Sequence, residues 1–342
     1  MRKKLLCLAL SLMLLLGLWP AQGEGLTKYS ADLFDAFDTV ITIIGYSPSQ
    51  EAFDEVVEQA HQLFVYYHQL FDNYNSYEGV NNLYVLNHTA AKTPLEVEKP
   101  LFDLLQSVQE WQRKYGSNQV NIAMGGVLQI WHACREAGIA DPQNAVLPDP
   151  DALSAAAEHM NIDDLILDSE ALTVFYADPE LQLDLGAVAK GYATEQVAQY
   201  LLSSSMPSFV ISAGGNVRAG NPPADGRTGW GVGVQNPDGN GYLDILSLSN
   251  TSAVTSGDYQ RYYMVDGVRY HHLISPLTLQ PGRECRSVTV VCEDSAFADY
   301  LSTTLFLMSC DEGKEFLDEL DIACQALWAL EDGTVVRYSN NK

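Results

Sequence analysis

Leu181-Gln182-Leu183-Asp184-Leu185-Gly186-Ala187-Val188-Ala189-Lys190-Gly191-Tyr192-Ala193 contains a change of period. It reads as a strand as far as Leu185; from Ala189 the apolar positions recur every four residues, at Ala193, Val197 and Leu201, as in a helix over 186–202. Just upstream, strands read at 165–167 and 172–176 around a turn at Asp168-Ser169-Glu170. Downstream come Phe209-Val210-Ile211, the glycine turn Ala213-Gly214-Gly215-Asn216, and an alternating run at 230–234. Further strands read at 288–292, 326–329 and 334–338, the last two joined by Glu331-Asp332-Gly333.

The N-terminal half is mostly helical. After a strand-like 39–44, Ser47-Pro48-Ser49-Gln50 has capping-box spacing with Pro at the first helical position. The apolar stripe Phe53, Val56, Val57, Ala60, Phe64, Tyr67, Phe71 then predicts a long helix. Leu101, Leu104, Leu105, Val108 and Trp111 mark a second helix stopped at Gly116, and a third starts near Asn121 and carries Val127, Ile130 and Trp131. Strands and helices without regular βαβ alternation favour an α+β fold with a mixed sheet.

Residues 1–23 have a basic start, Met1-Arg2-Lys3-Lys4, an apolar run over 5–19 and small residues at Ala21 and Gly23, the layout of a secretory signal. The chain is therefore expected to be exported and to act outside the cytoplasm, as one unit over 24–342. Membrane association is expected only through an uncleaved signal or through a partner. Losing Arg2, Lys3 and Lys4 leaves 16 basic residues against 44 acidic ones and takes the formal charge from −25 to −28. That excludes nucleic acid as a partner, because phosphate backbones need a basic face. Any phosphate ligand has to be held locally, by a metal ion, backbone N–H groups and selected basic side chains. Cys134, Cys285, Cys292, Cys310 and Cys324 remain, an odd count without metal-site spacing or an obvious disulfide framework.

Three constellations can carry chemistry. Asp184 ends a strand before a glycine-containing helix start, where a carboxylate and free N–H groups can face a ligand together, with Lys190 about one and a half turns on. A helix-capping Asp and a solvated Lys are the plain alternatives. Asp299, Ser302 and Thr303 share one helical face behind Asp294-Ser295, a hard-oxygen set suited to Mg²⁺, unless the hydroxyls simply bond back to helix carbonyls. Thr255-Ser256-Gly257-Asp258-Tyr259 and Tyr270-His271-His272-Leu273 lie one hairpin apart around a turn at Val265-Asp266-Gly267-Val268. Adjacent histidines in a strand face opposite ways, so at most one of them can serve as a general base. The run Gly229-Trp230-Gly231-Val232-Gly233-Val234 alternates like a strand and lacks the spacing of a dinucleotide fingerprint.

In this order, the segments resemble the ApbE family of FAD:protein FMN transferases. Asp184-Leu185-Gly186-Ala187-Val188-Ala189-Lys190-Gly191-Tyr192-Ala193 looks like the family's D-L-G-x-x-A-K-G-Y-A motif, and 211–215 like its glycine-pair strand end. Residues 255–259 with His272 look like its T-S-G-D-Y and following His. Ala298-Asp299 through Thr303 looks like its metal-binding helix. The resemblance implies an ApbE/T-fold-like architecture of two intimately packed subdomains. It further implies FAD as substrate, Mg²⁺ as cofactor, and an acceptor flavoprotein whose Thr or Ser takes FMN as AMP leaves. By the same likeness Asp299, Thr303 and the Ala187 carbonyl hold Mg²⁺, and Phe37, Tyr74, Asn121, Asp184, Lys190 and Leu273 contact the flavin nucleotide. His272 activates the hydroxyl. FAD hydrolysis to FMN and AMP, or flavin binding without catalysis, are the alternative activities. The chain departs from the family pattern at Phe37-Asp38-Thr39 (Met-Gly-Thr in many members), at Val120-Asn121-Ile122-Ala123 (Phe-Asp-Pro-Thr), at Ser275-Pro276 (Asp-Pro) and at Thr278-Leu279 (Thr-Gly).

Overall fold

The computed structural model describes residues 25–340 and Lys342; the expected signal, 1–23, lies outside the described residues. An eight-stranded sheet dominates: β1 (Thr27–Ala36), β2 (Thr39–Ser47), β3 (Phe209–Ala213), β4 (Asn216–Ala219), β5 (Ser252–Gly257), β6 (Ser287–Cys292), β7 (Gln325–Ala329) and β8 (Val335–Ser339). In space the strands follow one another in chain order, and every neighbouring pair is antiparallel. The sheet is thus a meander with large excursions between consecutive strands, and together with its helices it makes the expected α+β fold.

Alternation along the strands divides the two faces. Ile41, Ile43, Phe209, Ile211, Val254, Val288, Val290 and Trp328 point into the main core. Against that face pack three helices, α1 (Gln50–Phe71), α4 (Ala189–Ser203) and α5 (Ser295–Phe306), with α4 between the other two. On the opposite face, Ile44, Val210, Val217 and Ala253 meet Trp230 and Leu248 of a hairpin, Trp230–Gln235 with Tyr242–Leu248. The excursion between β2 and β3 holds α2 (Lys99–Tyr115), α3 (Gly125–Ala140) and a small antiparallel sheet of Leu95–Glu96, Thr173–Tyr176 and Leu165–Asp168. The main core runs without a break from the large sheet into this part through Leu101, Leu105, Val174, Tyr176 and Leu183. A second cluster joins α3, through Val127 and Trp131, to the hairpin Tyr262–Val265 and Val268–His271. No helix among the described residues is long and apolar enough to cross a membrane.

Local expectations hold where one side chain decides them. Gly116 ends α2 at φ 65°, Asp294 caps α5 through the Phe297 N–H, and Val265 pairs with Val268 around Asp266 and Gly267, both at positive φ. Others move. The cap of α1 is Ser49, which accepts from the Ala52 N–H; Ser47 is still in β2, so Pro48 precedes the cap instead of following it. The third helix starts at Gly125, after a turn, and α4 at Ala189, since 186–188 form a turn of their own.

The larger correction concerns 181–185. These residues are extended but join no sheet beyond an isolated bridge from Gln182 to Met124. Their polar backbone is satisfied by one side chain together with loop backbone, the Gly125 N–H donating to the Gln182 carbonyl at 2.9 Å. Buried Asn87 donates to the Leu183 carbonyl at 2.9 Å and accepts the Leu183 N–H at 2.9 Å, while Asp184 N–H donates to the Ile122 carbonyl at 2.8 Å. Asn87 also accepts from the Tyr176 hydroxyl at 3.0 Å. An apolar alternation thus looks the same whether its partner is a strand or an asparagine. Replacing Asn87 with Ala strands a buried N–H and a buried C=O, at a cost of about 2–4 kcal/mol. Thermal unfolding of Asn87→Ala should therefore show a Tm lower by roughly 5–10 °C; a Tm within 2 °C of wild type, allowing roughly for measurement scatter, would refute the role.

Candidate active site

The site is built where α4 meets α5. Gly191 lies so close to α5 that a Cβ there would come within 2.4 Å of the Ser295 carbonyl oxygen and 2.5 Å of Asp299 Cβ. That approach lets the Gly191 N–H donate to Asp299 Oδ2 at 2.8 Å. In an unbroken helix this N–H would go to the Ala187 carbonyl. Among the described residues no other donor takes that carbonyl, so it is left for a ligand. Asp299 Oδ1 has only a long contact, 3.5 Å from Asn216 Nδ2, and Asn216 Oδ1 is buried without a partner.

Every residue of α5 is buried, its polar ones included. Ser302 and Thr304 bond back to the carbonyls of Asp299 and Tyr300, the plain outcome for helical hydroxyls. Thr303 does not; its Oγ1 lies 3.1 Å from Ser256 Oγ, which also meets Ser302 Oγ at 2.9 Å. Ser256 of the Thr-Ser-Gly-Asp-Tyr segment therefore sets Thr303 in place from β5. Burial raises the Asp299 carboxyl above its usual range, opposed first by Lys190 and then by the Gly191 N–H and Asn216. A buried carboxylate, a carbonyl and a hydroxyl make a hard-oxygen set whose chemistry fits Mg²⁺. Among the described residues no group of three or more His, Cys, Asp or Glu could hold a metal, so Cys- and His-type metal centres find no place there.

The Asp184 end of the site lies one turn away. Asp184 Oδ1 accepts the Gly186 N–H at 2.7 Å and Oδ2 accepts from Asn73 Nδ2 at 2.9 Å, which tightens the 184–186 turn and aims it at the start of α4. Lys190 Nζ reaches back to the Gly186 carbonyl at 3.4 Å. Tyr74, half exposed, stacks at a tilt on His132 with ring centroids 4.8 Å apart, and Arg135 holds His132 Nδ1 at 2.7 Å. Burial and the Asp184 carboxylate push the Tyr74 hydroxyl up to about 12, against Arg135 and Arg261. His132 is lowered by burial and then by Arg135. Asn73, His132, Arg135, Arg261, Ser256 and Asn216 are site residues that sequence reasoning missed. Only Ser256 and Asn216 sat in segments already singled out.

The two histidines part at the end of the hairpin strand, His271 being its last residue and His272 lying just beyond it. His271 is buried and satisfied on both nitrogens, Nε2 donating to the Gly282 carbonyl at 2.8 Å and Nδ1 accepting the Leu273 N–H at 3.2 Å. Burial lowers it to about 4. His272 turns the other way. Its N–H donates to the Arg261 carbonyl at 3.1 Å and its Nδ1 is buried with no partner. Burial, then Arg261, His271, Lys190 and Arg135, hold it well below the usual histidine range. Lys190 and Arg261 act on Asp299 and His272 alike, and Arg135 and Arg261 on His132, Tyr74 and His272, so these groups lie within electrostatic reach of one another. Asp258 has a structural role, gripping Arg269 at 3.0 Å and Arg286 at 2.8 Å to fix the histidine hairpin on β6.

The remaining expected contacts are placed as follows. Asn121 spends its side chain on the Met160 carbonyl and the Ala123 N–H, in the loop whose Ile122 carbonyl holds Asp184. Leu273 is buried, with its N–H on His271 and its carbonyl on the Gly282 N–H. Phe37 sits at the β1–β2 tip, its N–H on His68 Nδ1 at 3.3 Å. Here the departures from the family pattern become visible in the backbone: Phe37, Asp38 and Leu279 all have positive φ, 57°, 50° and 58°, so Asp38 and Leu279 occupy a conformation in which glycine is at ease. Leu279 is kept there by Trp131 Nε1, which donates to its carbonyl at 2.9 Å.

The family model described as "ApbE family" matches residues 37–328. An FAD:protein FMN transferase of Klebsiella pneumoniae is 31% identical over 260 residues, 75% of this chain and 74% of the relative. Another of that name from Treponema pallidum is 32% identical over 252 residues, 69% and 67% of the two chains. The crystal structure of the ApbE protein of Thermotoga maritima superposes with a TM-score of 0.78 at 27% identity, covering 91% of this chain and 97% of that one. The flavin transferase ApbE of Vibrio cholerae superposes with a TM-score of 0.77 at 22% identity, which speaks for the fold.

Since no side chain fits at 191 without parting α4 from α5, Gly191→Ala should lose about 1–3 kcal/mol of stability by overpacking. It should also remove the N–H bond to Asp299. Calorimetric Mg²⁺ binding to the folded variant checks the second point: affinity equal to wild type would show that this contact does not shape the metal site.

Proposed function

Because the chain belongs to the ApbE family, we propose that it is an FAD:protein FMN transferase that uses Mg²⁺ and moves FMN from FAD onto a Thr or Ser hydroxyl of an acceptor flavoprotein, releasing AMP. The observation that carries this reading is the opening of the Ala187 carbonyl beside buried Asp299, with Thr303 held to the same spot by Ser256. Asp299, Thr303 and the Ala187 carbonyl would hold Mg²⁺, which when bound offsets negative charge on the pyrophosphate and its leaving group. Lys190, Arg261 and Arg135 are the local basic groups that so acidic a chain needs in order to bind a pyrophosphate. Asp184, fixed by Asn73 and the Gly186 N–H, positions the nucleotide through hydrogen-bond acceptance, and the half-exposed Tyr74 ring offers a stacking face.

His272 supplies the base. It is neutral at working pH and its Nδ1 is unengaged, so it can take the proton of the acceptor hydroxyl as that oxygen attacks the FMN phosphorus. The P–O bond to AMP breaks, and AMP leaves with the bridging oxygen. An FAD pyrophosphate in the cleft counteracts the cations that depress His272 and so strengthens the base when substrate is present. On the strength of the charged and apolar start of the chain, we place this reaction outside the cytoplasm.

Incubation of the protein with FAD, Mg²⁺ and a candidate acceptor flavoprotein should yield covalently flavinylated acceptor and AMP in equal amounts. Free FMN with AMP and no labelled acceptor would make the protein a pyrophosphatase, and unchanged bound FAD a flavin carrier. Asp299→Ala should abolish Mg²⁺-dependent turnover, and His272→Ala should lower kcat by roughly 10²–10⁴-fold, the usual worth of a general base.

The pH profile is a separate check. Because the His272 pKa is lowered, the neutral form persists as pH falls through the ordinary histidine range and is lost only below it. The acid limb of kcat/KM, which reports the free enzyme, should therefore lie well under about pH 6.5. A limb at or above that value would assign the base to another group.

A further inference from the structure

We infer that Cys292 and Cys324 are a disulfide pair, closed across β6 and β7 by exchange with a protein or small-molecule disulfide. The two lie 32 positions apart in the sequence, and strand register brings them together. The β6–β7 ladder runs from Ser287 opposite Ala329 to Val291 opposite Gln325, and its next step sets Cys292 opposite Cys324. The Cys324 N–H donates to Asn340 Oδ1 at 3.0 Å, and its carbonyl accepts the Asn340 N–H at 3.3 Å, so both of its backbone groups point toward β8 and away from β6. Cys292 and Cys324 therefore form a non-hydrogen-bonded antiparallel pair. Such pairs have the shorter Cα separation, about 4.5 Å, inside the roughly 4.4–6.8 Å that a disulfide spans.

Burial and contact agree with the register. Both residues are buried, at 4% and 2% exposure. The Cys292 thiol is raised well above its usual range, first by its interaction with the Cys324 thiol and then by burial. Cys292 Sγ also donates to the Asp294 carbonyl, at 3.3 Å. A cleft of about 820 Å³, lined by Glu195, Arg218, Glu293 and both cysteines, gives a tripeptide-sized disulfide a path to them.

The exchange balances in two steps. One cysteine, as thiolate, attacks the donor disulfide and expels one donor thiolate, leaving a mixed disulfide. The other cysteine loses its proton and attacks the protein sulfur of that mixed disulfide, expelling the second donor thiolate. The protein gives up two hydrogens and the donor is reduced to two thiols. The bond closes a loop of 292–324 that contains all of α5, and it lies two residues before Asp294, the cap of that helix. Oxidation thus clamps both ends of the segment that carries Asp299 and Thr303.

The test is peptide mapping of the full chain, purified without reductant, refolded in a glutathione redox buffer and alkylated in denaturant. The expected product is a 292–324 cross-linked peptide two hydrogens lighter than its separate halves, converted to two alkylated peptides by dithiothreitol. Full alkylation of Cys292 and Cys324 before reduction, or either one bridged to another cysteine, overturns the pairing. Thermal unfolding gives a second reading: reductant should lower the wild-type Tm by roughly 5–10 °C and leave the Cys292→Ser/Cys324→Ser protein unmoved, and an equal response in both proteins counts against the bridge. Flavin transfer is assayed apart. A bridged protein that transfers no flavin disproves only the proposed activity, and an active protein with both thiols free disproves only the bridge.

Discussion

The hydrogen bond from the Gly191 N–H to Asp299 is the contact on which the site depends. It requires α4 and α5 to approach at a distance only glycine allows, and it gives a first-turn N–H, which has no partner within its own helix, to Asp299. The bond partly satisfies a carboxylate that would otherwise be buried at high cost. The remaining groups fall in around that joint. Ser256 reaches over from β5 to Thr303, Asn216 comes from the start of β4, and Lys190 lies next to Gly191 on the same helix. The sheet serves mainly to bring three far-separated segments of chain to one helix–helix contact.

Electrostatics follow from the same economy. A chain with a formal charge of −25 keeps most of its surface hostile to phosphates. Lys190, Arg261 and Arg135 all bear on His272, while Asp258 commits Arg269 and Arg286 to structural work nearby. Three basic groups thus gather around one histidine in a chain of the opposite overall sign, and their field acts over about a Debye length.

The legible part of the site was the part written in contiguous motifs: 183–191, 255–259, His272 and 298–303. Strand alternation also allowed at most one of His271 and His272 to act, although His272 lies just past the strand end. The illegible part came from register and loop packing. Asn73 meets Asp184 across 111 residues, and Arg135 reaches the site only because α3 packs on the histidine hairpin. Asn87 took the place of a strand neighbour at Leu183, and no propensity scale records an asparagine acting as a sheet edge. Cysteine spacing was uninformative for the same reason: Cys292 and Cys324 are neighbours only through the β6–β7 pairing.

The strand order of the large sheet also bears on how the molecule comes into being. β2 pairs with β3, yet the 161 residues between them include all of α1, α2, α3 and α4. Closing so long a loop costs conformational entropy that local contacts cannot repay in advance. The β1–β2 hairpin, backed by α1, lacks its neighbour β3 until residue 213 has been made, and two-stranded ribbons are marginal in water. The large sheet therefore closes only once the long excursion is in place, which makes its formation slow.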